Sequence, residues 1–200
     1  SDNLLVDSSM IVVVGHGFGG TLAHRVAKAS DGVFSAVIMV GSTALSYEDY
    51  LLGHSNLSSH TADELKAYQD TLDKLSKMKE QTALENTETV LGHSVYYFWK
   101  LQKTNNYELI RKLRLPTYIV QGKKDPLVPE NEGWRQYNNK IGEGVKYVTY
   151  RSFPGLNHVL MSDSSTDAYG LPQYTENATL DISAGRSIGQ WILSLKSTAE

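Results

Sequence analysis

The chain has 200 residues, 40% of them hydrophobic, and a formal net charge of −3. This length and composition are sufficient for one globular domain with a sizeable core. The slightly negative charge, with no run of lysine or arginine, argues against nucleic acid or an anionic membrane as a partner. The absence of cysteine excludes disulfides, a thiol nucleophile and thiolate metal ligands. No apolar run approaches the roughly 18 residues that a membrane-spanning helix needs.

The first part of the chain has the pattern of a strand–helix–strand unit. The β-branched run from Ile11 to Val14 is typical of a parallel strand that is buried on both faces. A second buried strand is predicted from Phe34 to Val40. Together with the helix between them, which is expected to end near Ser30 and Gly32, they favour a parallel sheet. The predicted buried face of this helix consists of Leu22, Ala23, Val26 and Ala27.

The middle of the chain reads as a helical insertion. From Thr61 to Gln81, apolar residues recur at spacings of three and four, which predicts one amphipathic helix with Thr61 as N-cap and Glu64 as its capping-box partner. An aromatic run, Val95 to Trp99, follows it. Two interpretations are open: a surface helix that packs its apolar stripe on a core, or a lid over an active site. The second predicts a lid at about residues 45–110.

The remaining elements complete an α/β pattern. A short helix is predicted from Asn105 to Leu113 and a third strand from Pro116 to Gly122. The alternating segment from Lys146 to Phe153 predicts a fourth strand at a sheet edge. A C-terminal helix is indicated by Ile182, Ile188, Trp191, Ile192 and Leu195.

Three residues after strands form the candidate catalytic set. The first strand runs into Gly15-His16-Gly17-Phe18-Gly19-Gly20 and then into a helix, which is the setting in which α/β-hydrolases place a serine nucleophile. Glycine occupies the position of that serine, Gly17. Asp125 follows the third strand and His158 the fourth, in the chain order nucleophile, acid, histidine that these enzymes use. In such a set the carboxylate orients the histidine, and the histidine takes the proton of the nucleophile.

These motifs resemble the C-terminal part of bacterial α/β-hydrolases of the serine aminopeptidase-like esterase group. The resemblance implies a mostly parallel sheet flanked by helices with a helical lid, and hydrolysis of small acyl esters without a cofactor. It implies Asp125 as the orienting acid, His158 as the general base and the backbone N–H of Phe18 as one oxyanion donor. We predict substrate contacts from His16, Tyr97 and Trp99. Further segments that carry the resemblance are Val6-Asp7, Tyr47-Glu48-Asp49, Leu115-Pro116, Phe153 to Met161, Tyr169-Gly170 and Gln190-Trp191-Ile192.

Two departures from the group change what the resemblance predicts. Gly17 has no Oγ, so the chain is expected to lack acyl-enzyme chemistry while keeping its fold. The resemblance also implies that earlier strands, including the loop that gives a second oxyanion donor, are missing. The first strand would then be an open edge, which favours pairing with another strand. We therefore expect a second chain or a homodimer to cover it, or a longer protein.

Alternative interpretations exist for the same residues. Gly15-x-Gly17-x-x-Gly20 after a strand also matches a dinucleotide-binding fingerprint, which predicts an oxidoreductase. However, the second strand ends in Met39-Val40-Gly41-Ser42-Thr43, without the carboxylate that would bind a ribose. A third interpretation is a non-catalytic binding module that keeps a hydrolase pocket. No metal site is predicted, because the histidines lack the spacing of zinc ligands.

Overall fold

The computed structural model of this chain describes residues 7–46, 49–50, 61–90, 92–103, 105–162 and 179–196. Its helices and strands follow the chain in this order: β1 (Val12–His16), α1 (Phe18–Ala29), β2 (Ala36–Val40), α2 (Ala62–Ser76), α3 (Glu80–Glu85), β3 (Thr89–Val90), β4 (His93–Ser94), α4 (Val95–Gln102), α5 (Asn106–Leu113), β5 (Thr117–Gly122), α6 (Trp134–Ile141), β6 (Val148–Phe153) and α7 (Ile182–Lys196). The chain divides into two compact units, Leu45–Asn105 and the remainder.

The first unit is built on a four-stranded parallel sheet. The strands are ordered β1-β2-β5-β6, and every neighbouring pair is parallel. β2 and β5 are buried along their whole length, because successive side chains point to opposite faces and both faces are covered. The predicted α/β class is confirmed. On one face pack Ala23, Ala27, Ile110, Tyr137 and Ile141 from α1, α5 and α6, and on the other Leu156, Leu160 and Ala184 with Ile188, Trp191 and Ile192.

Strand β1 is at one end of this sheet among the described residues. Val14, in the middle of the strand, is 58% exposed, whereas the central strand β2 has no exposed residue. An apolar strand edge of this kind can pair with a further strand. A second chain or a homodimer at this edge stays a prediction.

The buried face of α1 differs from the predicted one. Val26 is 48% exposed, and His24, which the apolar pattern left out, is completely buried. The His24 Nε2–H donates to the Thr117 hydroxyl oxygen at 3.0 Å, and that hydroxyl donates to the Leu115 carbonyl. A histidine can therefore replace an aliphatic side chain here, because a buried polar partner satisfies one ring nitrogen.

Acid is expected to destabilise the folded chain through His24. Burial lowers the pKa of His24 from 6.5 to about 4, and its Nδ1 has no hydrogen-bond partner among the described residues. Between these pH values His24 binds a proton in the unfolded chain but not in the folded chain. The free energy of unfolding is therefore unaffected by His24 above pH 6.5, and it decreases as the pH falls from 6.5 to 4. The loss is about 3 kcal/mol.

Urea unfolding at several pH values tests this expectation. His24→Gln should lose less stability than the unmodified chain as the pH falls from 6.5 to 4. The exposed His93 provides the control, and His93→Gln should keep the pH dependence of the unmodified chain. The same pH dependence in all three proteins would contradict the assignment.

The second unit has two helices where the sequence predicted one. α2 begins with the predicted capping box, in which Glu64 N–H donates to the Thr61 hydroxyl and the Thr61 N–H donates to Glu64. α2 ends at Ser76, and α3 begins only at Glu80. In the intervening turn the Met78 carbonyl accepts the indole N–H of Trp99 at 2.9 Å. The core of this unit consists of Tyr68, Leu72, Leu75, Ala83, Val95, Phe98 and Trp99.

Some predicted features lie outside the described residues. These are Val6, Tyr47, Glu48, Tyr169 and Gly170 of the resemblance. The predicted lid at about residues 45–110 overlaps the second unit, and its action as a lid stays a prediction. None of the described helices is long and apolar enough to cross a membrane.

Candidate active site

The candidate residues meet at the carboxyl ends of the parallel strands. Gly17 directly follows β1, Asp125 follows β5 and His158 follows β6. Because neighbouring parallel strands end at the same edge of a sheet, loops from separate parts of the chain converge there. The loops that carry Asp125 and His158 are joined by their backbones, since Lys124 N–H donates to the Leu156 carbonyl at 2.9 Å.

Gly17 adopts the backbone conformation of a sharp turn between strand and helix. Its φ is +55° and its ψ is −125°, and α1 begins at the next residue. A non-glycine residue in this left-handed region is strained by roughly 1–3 kcal/mol. A Cβ at position 17 would lie 3.3 Å from His158 Nε2. A side chain at this position would therefore point at the imidazole, although Gly17 itself carries none.

Asp125 and His158 form a buried hydrogen-bonded pair. His158 Nδ1–H donates to Asp125 Oδ2 at 2.7 Å, and both residues are buried. The other oxygen, Oδ1, accepts the backbone N–H groups of Leu127 and Val128, each at 2.9 Å. The carboxylate is therefore held by its own loop, and it keeps the proton of His158 on Nδ1. The lone pair of Nε2 is left on the side of Gly17.

His16 contacts the same histidine from the end of β1. Its Nε2–H donates to the backbone carbonyl of His158 at 3.0 Å, and the two rings are 4.5 Å apart. The turn that carries His158 is held by Asn157, whose Oδ1 accepts the N–H groups of Val159 and Met161, both at 3.1 Å. A substrate contact from His16 stays a prediction.

The other predicted site residues, apart from His16, belong to different units of the chain. Phe18 is the first residue of α1, so its N–H lies at the N-terminus of that helix, next to Gly17. Tyr97 and Trp99 belong to the second unit. Trp99 is part of the core of that unit, whereas Tyr97 is half-buried and stacks on His93 with ring centroids 4.9 Å apart. Their predicted substrate contacts stay untested.

Sequence patterns gave no indication of one further contact in the site. The hydroxyl of Ser42, in the loop after β2, donates to the Gly17 carbonyl at 3.1 Å. The sequence signal was a polar Gly-Ser-Thr segment directly after a fully buried strand, which marks the carboxyl end of that strand. Nothing in the spacing indicated which loop it would meet.

Comparison with known proteins identifies the family of this chain. Residues 1–173 match the prolyl oligopeptidase family, Peptidase_S9. The chain belongs to this family. Its membership confirms the prediction of an α/β-hydrolase and places the chain in a family of hydrolases.

The chain is also similar to individual hydrolases. Esterase EstD of Thermotoga maritima is 24% identical over 196 residues, which are 94% of this chain and 43% of the esterase. This chain thus spans less than half the length of that esterase. The monoacylglycerol lipase of Paleococcus ferrophilus has a similar structure, with a TM-score of 0.50 and 16% identity over 92% of this chain and 68% of the lipase. At this identity the similarity shows the fold alone.

Proposed function

We propose that this chain carries the site of a carboxylic-ester hydrolase of the serine type, with glycine in place of the nucleophile. The observation that supports it best is the direction in which a side chain at position 17 would point. A Cβ there would lie 3.3 Å from His158 Nε2, while Nδ1 of the same ring donates to Asp125. Nucleophile, base and orienting acid have this mutual arrangement in serine hydrolases.

With serine at position 17 the site would carry out acyl transfer in two steps. His158 Nε2 takes the hydroxyl proton while Oγ attacks the ester carbonyl, and Asp125 stabilises the imidazolium. The Phe18 N–H donates to the oxyanion of the tetrahedral intermediate. The alcohol leaves with the proton from His158. Water, deprotonated by the same nitrogen, then releases the acid and restores the serine.

With Gly17 these covalent steps have no nucleophile. We therefore expect ester hydrolysis by the unmodified chain to stay near the uncatalysed rate. Loss of the serine of a serine hydrolase lowers kcat by roughly 10⁶-fold. The Asp125–His158 pair does not depend on a serine for its geometry, because loop N–H groups hold Asp125 and the His16 side chain donates to the His158 carbonyl.

The names of the relatives support one substrate class. The names of EstD and of the monoacylglycerol lipase describe ester hydrolysis, whereas the family name describes peptide hydrolysis. We assign small acyl esters to this chain, and a peptide substrate is the alternative. Action of the second unit as a lid is part of this proposal. The relatives named above are hydrolases, and they give no support to the dinucleotide-binding alternative.

A second candidate is a binding module without turnover, which Gly17 itself favours. Hydrolysis of p-nitrophenyl acetate by the unmodified chain and by Gly17→Ser separates the two. Turnover in the serine variant alone supports the hydrolase proposal. Absence of turnover in both contradicts it for this chain and leaves the binding module.

A further inference from the structure

The carbonyl oxygen of Gly17 accepts two hydrogen bonds. One comes from the backbone N–H of Gly20 in the first turn of α1, at 3.0 Å. The other comes from the Ser42 hydroxyl, at 3.1 Å. Ser42 is buried, and it approaches from the loop after β2 rather than from the helix. The first bond joins residues three apart, as is frequent at the start of a helix, so the second requires its own explanation.

The hydrogen bond from Ser42 to the Gly17 carbonyl also affects the Phe18 N–H, because both groups belong to the same peptide. A trans peptide is planar, and its C=O and N–H point in opposite directions. A group that fixes the Gly17 carbonyl therefore also fixes the direction of the Phe18 N–H. At a helix N-terminus this N–H points out of the helix, away from the carbonyl. An accepted hydrogen bond also polarises the peptide and makes its N–H a better donor.

We infer that Ser42 is a positioning residue that orients and polarises the Gly17–Phe18 peptide for oxyanion binding. The inference rests on the proposed function, because it treats the Phe18 N–H as the oxyanion donor. Ser42 would act only through Phe18 and would not touch the substrate. Its effect is therefore expected on the rate of acyl transfer rather than on substrate affinity.

Gly20 supplies an independent observation. A Cβ at this position would overlap the Ser42 hydroxyl oxygen and would lie 3.0 Å from Ser42 Cβ. A Cβ at the neighbouring Gly19 would meet no atom within 4 Å. Of these two glycines, only Gly20 is closely surrounded. A Cβ there would also lie 3.0 Å from the Gly15 carbonyl oxygen, and the atom that it would overlap is the Ser42 hydroxyl oxygen.

The first test needs no activity and uses the chain with Gly17. Ser42→Ala is compared with Ser30→Ala, which removes a hydroxyl that donates to the Ala27 carbonyl at 3.0 Å, at the opposite end of α1. NMR of the labelled protein should show shifts of the Gly17 carbonyl carbon and the Phe18 amide in Ser42→Ala alone. Gly20→Ala should shift the same resonances, because its Cβ would displace the Ser42 hydroxyl. Unchanged resonances in Ser42→Ala would overturn the inference.

The second test measures acyl transfer in the Gly17→Ser background. Removal of a whole oxyanion donor lowers kcat by about 10²–10³-fold. Because Ser42→Ala only weakens one donor, we expect kcat to fall about tenfold with KM unchanged, and Ser30→Ala to change neither. An unchanged kcat, or an effect on KM alone, would overturn the inference. Absence of turnover in Gly17→Ser itself contradicts the proposed function instead, and the NMR comparison then decides the role of Ser42.

Discussion

Gly17→Ser is expected to hydrolyse p-nitrophenyl acetate about 10³–10⁴ times faster than the unmodified chain. The serine of a serine hydrolase contributes roughly 10⁶-fold to kcat. We assign one oxyanion donor within the described residues, the Phe18 N–H at the start of α1, and a site without a second donor loses about 10²–10³-fold in kcat. Dividing the first factor by the second leaves the expected increase in rate, about 10³–10⁴-fold. A burst of p-nitrophenol, followed by slower turnover, would indicate an acyl-enzyme.

The same substitution is expected to destabilise the chain. Gly17 has a φ of +55°, a conformation that strains a serine by roughly 1–3 kcal/mol. A Cβ at this position also lies 3.3 Å from His158 Nε2, so the ring must move by a few tenths of an ångström to accept a hydrogen bond. Urea unfolding should therefore show a lower free energy of unfolding together with the gain in rate. This combination is typical of a strained functional position.

Gly19→Ser is the matched control. Gly19 lies two residues further along, inside α1, and a Cβ there meets no atom within 4 Å. This variant adds the same hydroxyl to the same motif without bringing it to His158, so its rate should equal that of the unmodified chain. Equal gains in both variants would contradict the assignment of position 17 as the nucleophile position.

The parallel sheet could be predicted because its signals are local. The apolar run of β2 is continuous, and that strand is buried on both faces, as predicted. The run from Ile11 to Val14 gave the same prediction for β1, and there it is wrong: Val14 is 58% exposed, because β1 is at one end of the sheet among the described residues. The order of Gly17, Asp125 and His158 after successive strands also predicted the contact between Asp125 and His158, because parallel strands bring their carboxyl ends together. The order of these residues along the chain and the parallel direction of the strands were sufficient for this part of the site.

Other features depend on contacts between distant residues and were missed. The predicted helix from Thr61 to Gln81 is interrupted after Ser76, in the turn where the Met78 carbonyl accepts the Trp99 indole N–H, a bond across 21 residues. His24 was excluded from the buried face because its partner, Thr117, is 93 residues away. The contact of Ser42 with the Gly17 carbonyl likewise joins two loops. Hydrophobic periodicity carries no information about such pairs.

In the Gly17→Ser background, Asp125→Asn is expected to return hydrolysis to the rate of the unmodified chain. The same change in the triad of a serine protease lowers kcat by about 10⁴-fold. The physical reason is the tautomer of His158. Asp125 Oδ1 accepts two backbone N–H groups, from Leu127 and Val128. In an asparagine the amide oxygen would therefore occupy the Oδ1 position, because only an oxygen can accept these two bonds. The amide NH₂ would then face Nδ1, which must become an acceptor. The ring proton moves to Nε2, which can no longer take the proton of the serine.

Asp181→Asn provides the matched control for this prediction. Asp181 Oδ1 also accepts backbone N–H groups, from Ser183 at 2.8 Å and Ala184 at 3.3 Å in the first turn of α7, but it is partly exposed and has no histidine partner among the described residues. Its substitution should leave the rate unchanged. A proton NMR signal from Nδ1–H of His158, far downfield because of the bond to Asp125, should disappear in Asp125→Asn alone. Loss of that signal with full activity would show that orientation of His158 by Asp125 is not required for turnover, and the proposed triad would then be wrong.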